Sequence, residues 1–199
     1  MSSKRFKKTK RDDQIVIDEK TGQLYIGNKD LRLLMLRPID LIEFSEFAGT
    51  NAEDIILWVG KTIAKYFVEK LFPGENLSQE DLSTKKEVII SILETFENLG
   101  YGIMSSVFKQ KEIYINVEDS IIAEERENIM AKNVCILYLG IFTGILEQLE
   151  IDADGEEIAC VLLGDENCVY KFSLLTEEFS QDDIDQDEEA HISDFLKSL

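Results

Sequence analysis

Asn133–Phe172 reads NVCILYLGIFTGILEQLEIDADGEEIACVLLGDENCVYKF, and it decides how the rest of the chain is read. Its first half is an apolar helical run, with Asn133 placed to cap a helix from Val134 to about Leu149. Gly140 and Gly144 lie four apart and give that helix a face another backbone can approach closely. Asp154-Gly155 reads as a turn into a hairpin whose arms are EEIACVLL and CVYKFSLL, with GDEN between them. All three cysteines of the chain, Cys135, Cys160 and Cys168, fall inside this stretch.

Those cysteines sit at informative positions. Cys135 lies near the start of its helix, where the dipole and free amide groups favour a thiolate. Cys160 and Cys168 lie on opposite arms of the hairpin and share a face if Leu162 pairs with Cys168 across a five-residue loop. Gly164 supplies the positive φ angle that such a loop needs. Glu157, three residues before Cys160, joins them only if the strand carries a bend or bulge. Three thiolates and one carboxylate would make a closed, tetrahedral zinc site of the structural kind. The alternative is that the cysteines are small apolar core residues, since no paired C-x-x-C knuckle is present.

Upstream, Gln14–Gly27 holds two β-favouring runs about a Thr21-Gly22 turn, which predicts a hairpin, and Leu31–Leu36 is a further apolar stretch broken by Arg37-Pro38. Pro38 suits the first position of a helix ending at Gly49. Thr50-x-x-Glu53 is a capping-box pattern before a longer helix whose stripe is Ile56, Val59, Ile63 and Phe67, widened by Trp58 and Tyr66. Gly60 and Ala64 form a small-x-x-x-small pair on it. After Pro73-Gly74 and a polar loop, a helix from Thr84 or Lys85 to Leu99 carries Val88, Ile89, Ile92, Leu93 and Phe96 on one side. GIMSSVF and EIYINV then form a hairpin. Helices alternating with local hairpins place the chain in the α+β class, with a small, mainly antiparallel sheet. The domain reading is a basic tail over 1–13, a folded domain over 14–175, and an acidic tail over 176–199 whose end (Ile192, Phe195, Leu196, Leu199) is amphipathic.

Composition narrows the function classes. At 199 residues, 44% hydrophobic and 31% charged, the chain is long enough to bury a core. A net charge of −19 disfavours binding to nucleic-acid phosphates. No run reaches the ~20 apolar residues of a membrane span, which with the absence of a signal-like segment leads to a cytoplasmic expectation. The six Lys/Arg of residues 1–13 leave room for peripheral contact with an acidic lipid surface. Gly60-Lys61-Thr62 lacks the earlier glycine of a phosphate loop and lies mid-helix. Asp152-x-Asp154-Gly155 lacks the remaining ligands of a calcium loop. His191 is the single histidine and falls in the acidic tail, so a Ser/His/Asp or Cys/His catalytic arrangement is hard to build.

VCILYLGIFTGILEQL followed by E-I-A-C-x-x-x-G-D-x-x-C-x-Y resembles the 4-vinyl reductase domain family, whose superfamily includes small subunits of the TRAPP vesicle-tethering complex. The glycine-bearing helix around Gly60, the Leu99–Gly102 turn and the strands ending at Glu118-Asp119-Ser120 agree with it, over about residues 14–175. The resemblance implies an antiparallel sheet under packed helices, dimerisation through helices, and an internal apolar pocket. In the phenol-sensing bacterial activators that carry this domain, zinc is held near the pocket by Cys and Glu, a set to which Cys135, Glu157, Cys160 and Cys168 correspond. The expectation is a non-enzymatic, cytosolic, dimeric sensor or regulatory module that takes up a small hydrophobic ligand. Trp58, Phe67, Tyr138 and Phe142 are the candidate lining. A TRAPP-like scaffold that works through its dimer surface with a homo- or heteromeric partner is the second expectation. An enzyme acting on a tetrapyrrole is the third, with no nicotinamide or flavin motif to support it.

Overall fold

The computed structural model describes residues 15–26, 31–125, 128 and 131–184. The basic run at 1–13 and the amphipathic end at 192–199 lie outside the described residues. Two compact units are present, Met1–Met35 and Leu36–Leu199. In the first, β1 (Ile15–Asp18), β2 (Gln23–Ile26) and β3 (Leu31–Leu33) form a three-stranded antiparallel sheet. The Thr21-Gly22 turn is where the sequence places it, with Gly22 N–H donating to Asp18 O at 2.7 Å.

The second unit holds a four-stranded antiparallel sheet in the order β4-β5-β7-β6, formed by Ile103–Lys109, Glu112–Glu118, Cys168–Leu174 and Ala153–Ala159 respectively. Its helices are α1 (Pro38–Ala48), α2 (Ala52–Leu71), α3 (Leu82–Asn98) and α4 (Lys132–Gln148). This is the α+β architecture read from the hairpins. In the ladder Met104↔Val117, Phe108↔Ile113, Val117↔Cys168, Ile115↔Tyr170 and Ile113↔Phe172 are partners, so these buried side chains share one face. Val107, Tyr114, Ala159 and Val169 make a smaller apolar cluster from the alternate positions.

The helices begin and end by recognisable devices. Pro38 occupies the first turn of α1 and Gly49, at φ 63°, ends it. Asp81 caps α3 by accepting from Thr84 N–H at 2.8 Å, which starts that helix at Leu82 rather than at Thr84 or Lys85. The Thr50–Glu53 capping box does not form. Gly49–Asn51 winds as a 3-10 turn directly into α2, so Thr50 never takes the extended backbone that a cap requires. Asn133 likewise does not cap α4. A turn in which Ala131 N–H donates to Asn128 O starts the helix at Lys132, and Asn133 is buried in its first turn.

Three further expectations are corrected. Asp154-Gly155 lies inside β6 rather than in a turn, because Gly155 pairs with Phe172, whose ring covers it. A Cβ there would stand 2.4 Å from a Phe172 ring carbon. The acidic segment after Thr176 does not simply leave the domain. Phe179 is buried, packs edge-on to Phe108 at 5.3 Å, and donates its N–H to Gln110 O, while Glu177 pairs with the buried Lys85 at 3.6 Å. Finally, the buried face of α2 runs through Ala52, Ile56, Gly60, Ala64 and Phe67, leaving Tyr66 exposed and Trp58 66% exposed.

That last shift has a packing cause. α2 and α4 meet backbone to backbone: a Cβ on Gly140 would lie 2.4 Å from Leu57 O, and one on Gly60 would lie 2.5 Å from Leu137 O. Gly144 faces Lys61 and Ala64 in the same way, and Lys61 Nζ closes the crossing on Glu147 at 2.7 Å. An aromatic-weighted stripe misplaces the buried face because small residues are what permit this approach. Gly140→Ala should therefore destabilise the domain by about 1–3 kcal/mol or more through overpacking, despite a helix-propensity gain of up to about 1 kcal/mol. Urea unfolding tests this; an unchanged or raised midpoint contradicts the crossing.

Candidate metal centre

The cluster draws one ligand from a helix and three from the β6–β7 connection and its strands. The α2 crossing sets α4 against the sheet, and Cys135 sits in its first turn. Cys168 opens β7 opposite Val117. Glu157 pairs directly with Tyr170, but the next pair in register is Ala159↔Val169, so Ile158 is an extra residue on β6. Without the bulge, Glu157 and Cys160 would point to opposite faces of the sheet. The added residue reverses the alternation beyond it and returns Cys160 to the Glu157 side.

The loop differs from the expected five-residue link. β6 stops at Ala159, and Leu162 does not pair with Cys168. Residues 161–163 form a 3-10 turn closed by Leu163 N–H on Cys160 O at 2.9 Å, and Gly164 takes φ 103° as the loop requires. Asp165 accepts from Cys160 N–H at 2.7 Å, which pins the backbone beside the thiol.

One ligand atom from each of Cys135, Glu157, Cys160 and Cys168 lies within 4.8 Å of the others. The Cys135 and Cys160 sulfurs are 3.5 Å apart, close to the edge of about 3.8 Å that a tetrahedron of ~2.3 Å metal–thiolate bonds would have. All three thiols are buried and none is in a disulfide. Glu157 Oε1 is buried with no hydrogen-bond partner. A buried carboxylate with an oxygen that lacks a donor is costly, and a cation held at the carboxylate's other oxygen would offset part of that cost. The donor set, three sulfurs and one oxygen, suits a zinc-class ion in a closed site.

The protonation states follow from crowding. Burial, with the Cys160 sulfur adding to it, holds the Glu157 carboxyl up at about 7. Hydrogen bonds from Cys135, then Cys168, favour Cys160 as the first thiolate of the three. The same contact with Cys160 raises Cys135. Cys168 is drawn down by Cys135 but pushed further up by Cys160 and burial, to about 12. The cluster readily carries one negative charge and resists several unless a cation balances them.

Of the four expected lining residues, Tyr138 and Phe142 stack on each other at 6.0 Å, and Phe67 connects to them only through Phe96 and Tyr101. Phe67, Tyr138 and Phe142 are buried, whereas Trp58 points to solvent for the packing reason given above. An aromatic train runs Phe67–Phe96–Tyr101–Tyr138, with centroids 4.9 to 6.3 Å apart. It continues to Phe142 and Tyr170. Phe96, Tyr101 and Tyr170 were not singled out from the sequence as site residues; the helical stripe signals Phe96 only as core, and Tyr170 follows from its register with Glu157. The Tyr170 hydroxyl donates to Cys135 O at 3.3 Å, linking the train to the cluster. The Tyr138 hydroxyl donates to Tyr101 O and accepts from Ile121 N–H at 3.2 Å.

No protein-family model matches the chain, and no curated protein matches it at a significant level. Among solved structures, it is similar to the phenol-responsive sensory domain of the transcription activator PoxR, crystallised with phenol. That match has 17% identity, covers 90% of each chain and gives a TM-score of 0.58. It is also similar to an H-NOX domain from Shewanella oneidensis in the Fe(II)CO ligation state, at 11% identity over 75% of this chain and 83% of that one, TM-score 0.52. A trafficking protein particle complex subunit 3 from Naegleria fowleri, covalently bound to palmitic acid, aligns over 72% of this chain and 100% of that one. Its identity is 13% and its TM-score 0.42, too low to bear on the fold. The first two likenesses establish a shared fold. No helix among the described residues is long and apolar enough to cross a membrane.

Tyr138→Phe should cost about 1–3 kcal/mol, because it strips the partner from Ile121 N–H and Tyr101 O inside the core. Chemical denaturation measures it; a change within ±0.3 kcal/mol would remove Tyr138 as the tie between α4 and the Tyr101 turn.

Proposed function

We propose that this chain is a metal-braced domain for binding a small apolar ligand, of the 4-vinyl reductase type and without catalytic activity of its own. The convergence of Cys135, Glu157, Cys160 and Cys168 carries the reading. These four residues would hold one zinc ion. Zinc supplies charge balance and a cross-link here rather than a reactive water, because four protein ligands close a tetrahedral shell. The brace joins the start of α4 to the bulged end of β6 and the start of β7. The apolar ligand belongs beside the aromatic train, with Phe67, Tyr138 and Phe142 as its nearest walls. The shared fold with a phenol-responsive sensory domain supports that placement.

A second reading gives the function to a partner-binding surface. It draws on the exposure of Phe44, Phe47, Trp58 and Tyr66 on α1 and α2, aromatic residues that a solitary domain has little reason to display. Light scattering together with a pull-down tests it: a monomer at micromolar concentration that captures no partner counts against it.

The metal half is tested directly. Protein purified without chelator should contain close to one equivalent of zinc, and a chelator should lower its melting temperature. Less than about half an equivalent with no chelator effect would remove the metal centre. Affinity should weaken as pH falls, since Glu157 below about 7, together with the raised Cys135 and Cys168, holds protons the metal must displace. The expected slope is roughly tenfold per pH unit for each proton released. A flat profile between pH 6 and 8 contradicts the ligand set. Native mass spectrometry against lipids and small aromatics tests the ligand half.

A further inference from the structure

The aromatic train and the cysteine cluster touch at one side chain, Tyr170. We infer that Tyr170 is a positioning residue for the metal centre, donating its hydroxyl to the Glu157 carboxylate oxygen that does not bind the ion. The inference rests on the metal reading above and goes beyond it by assigning the group outside the four ligands that orients one of them.

Three observations carry it. Tyr170 stands directly across the β6–β7 ladder from Glu157, on the last regular pair before the bulge. The two side chains therefore share a face at the shortest cross-strand separation a sheet offers, about 4.5–5.5 Å between Cβ atoms. Glu157 Oε1 is buried without a partner. A carboxylate that ligates through one oxygen leaves the other in need of a donor, and an unmet need there weakens the ligand. The third is the hydroxyl itself. Its hydrogen bond to Cys135 O is long, at 3.3 Å, and a hydroxyl carries one proton to give. A neutral carbonyl at that distance is a weak holder, whereas an ionised carboxylate is a stronger acceptor.

The ring is fixed for this role. Tyr170 is fully buried and wedged by Phe142 at 5.1 Å and Tyr138 at 6.2 Å, centroid to centroid. The hydroxyl can turn about its C–O bond while the ring stays in place. Metal binding then moves the proton's direction from Cys135 O to Glu157, with no change in backbone. Since Cys135 and Glu157 come from α4 and β6, the same oxygen faces two ligands supplied by separate elements.

The experiment uses the full chain and zinc itself. Zinc affinity is measured by competition with a chromophoric chelator for the native protein, Tyr170→Phe and Tyr114→Phe. Tyr114 is a tyrosine of the same sheet whose hydroxyl bonds Glu112 from the alternate positions, so it controls for loss of a tyrosine hydroxyl away from the cluster. Tyr170→Phe should weaken zinc binding 10–100-fold and shift the d–d bands of the cobalt(II) form, while Tyr114→Phe leaves both unchanged. Equal affinity and an unshifted cobalt spectrum for Tyr170→Phe would overturn the inference while leaving the metal centre standing. A matching loss in Tyr114→Phe would also overturn it. A native protein that takes up no zinc would overturn the metal reading itself, a distinct result. Should Tyr170→Phe fail to fold, ring-carbon NMR of the native protein decides: zinc should move the Tyr170 Cζ resonance and leave that of Tyr114 in place, and an unmoved Tyr170 resonance would overturn the assignment.

Discussion

The contact between α2 and α4 at Gly60, Gly140 and Gly144 is the constraint on which the rest of the domain depends. No side chain separates the two backbones there. That sets the distance from α2 through α4 to the sheet, and with it the position of Cys135 over Cys160 and Cys168. A larger residue at the crossing would push α4 along or away from the sheet. The 3.5 Å spacing of Cys135 and Cys160 would be lost before any ligand was altered. Interiors packed to crystal density transmit such shifts rather than absorb them. The small residues of this crossing and the chemistry of the cluster are therefore one design.

The second constraint is the bulge at Ile158. Strand alternation would separate Glu157 from Cys160, and one extra residue brings them to the same side. Glu157 itself stands opposite Tyr170 on the last regular pair before the bulge, so the tyrosine lies beside the point where the strand turns Cys160 toward the cluster. Gly164 and Asp165 then hold the returning loop against the Cys160 backbone. The result is a group of four donors from α4, β6, the loop and β7, which lie far apart in the chain's local geometry and meet only in the fold.

Much of this was legible in the residues. The hairpin at Thr21-Gly22, the hairpin of GIMSSVF and EIYINV, and the Pro38 and Gly49 helix limits follow from turn chemistry. The spacing of the cysteines leaves a metal set and plain core both open, and the family resemblance points to Cys135, Glu157, Cys160 and Cys168. The need for a bulge near Glu157 follows from strand alternation. The misses have one common cause: tertiary contacts override local signals. Thr50 and Asn133 look like caps, but the chain winds into α2 and α4 through turns that the capping pattern does not encode. Trp58 looks like core because aromatic residues dominate a hydrophobic stripe, yet the close crossing rotates the buried face onto Gly60 and Ala64. Gly155 looks like a turn residue because Asp-Gly usually is one, and only the Phe172 ring above it explains its place in a strand. Phe179 carried no sequence signal beyond a lone aromatic in an acidic segment, and its burial against Phe108 depends on a groove that exists only after folding.

Whether Cys135, Glu157, Cys160 and Cys168 surround one metal ion is decided by what lies around that ion. Zinc K-edge X-ray absorption of the purified protein tests it most directly. The predicted first shell is three sulfurs at about 2.3 Å and one oxygen at about 2.0–2.2 Å. A shell dominated by oxygen or nitrogen, or one unchanged in Cys168→Ala, would contradict it.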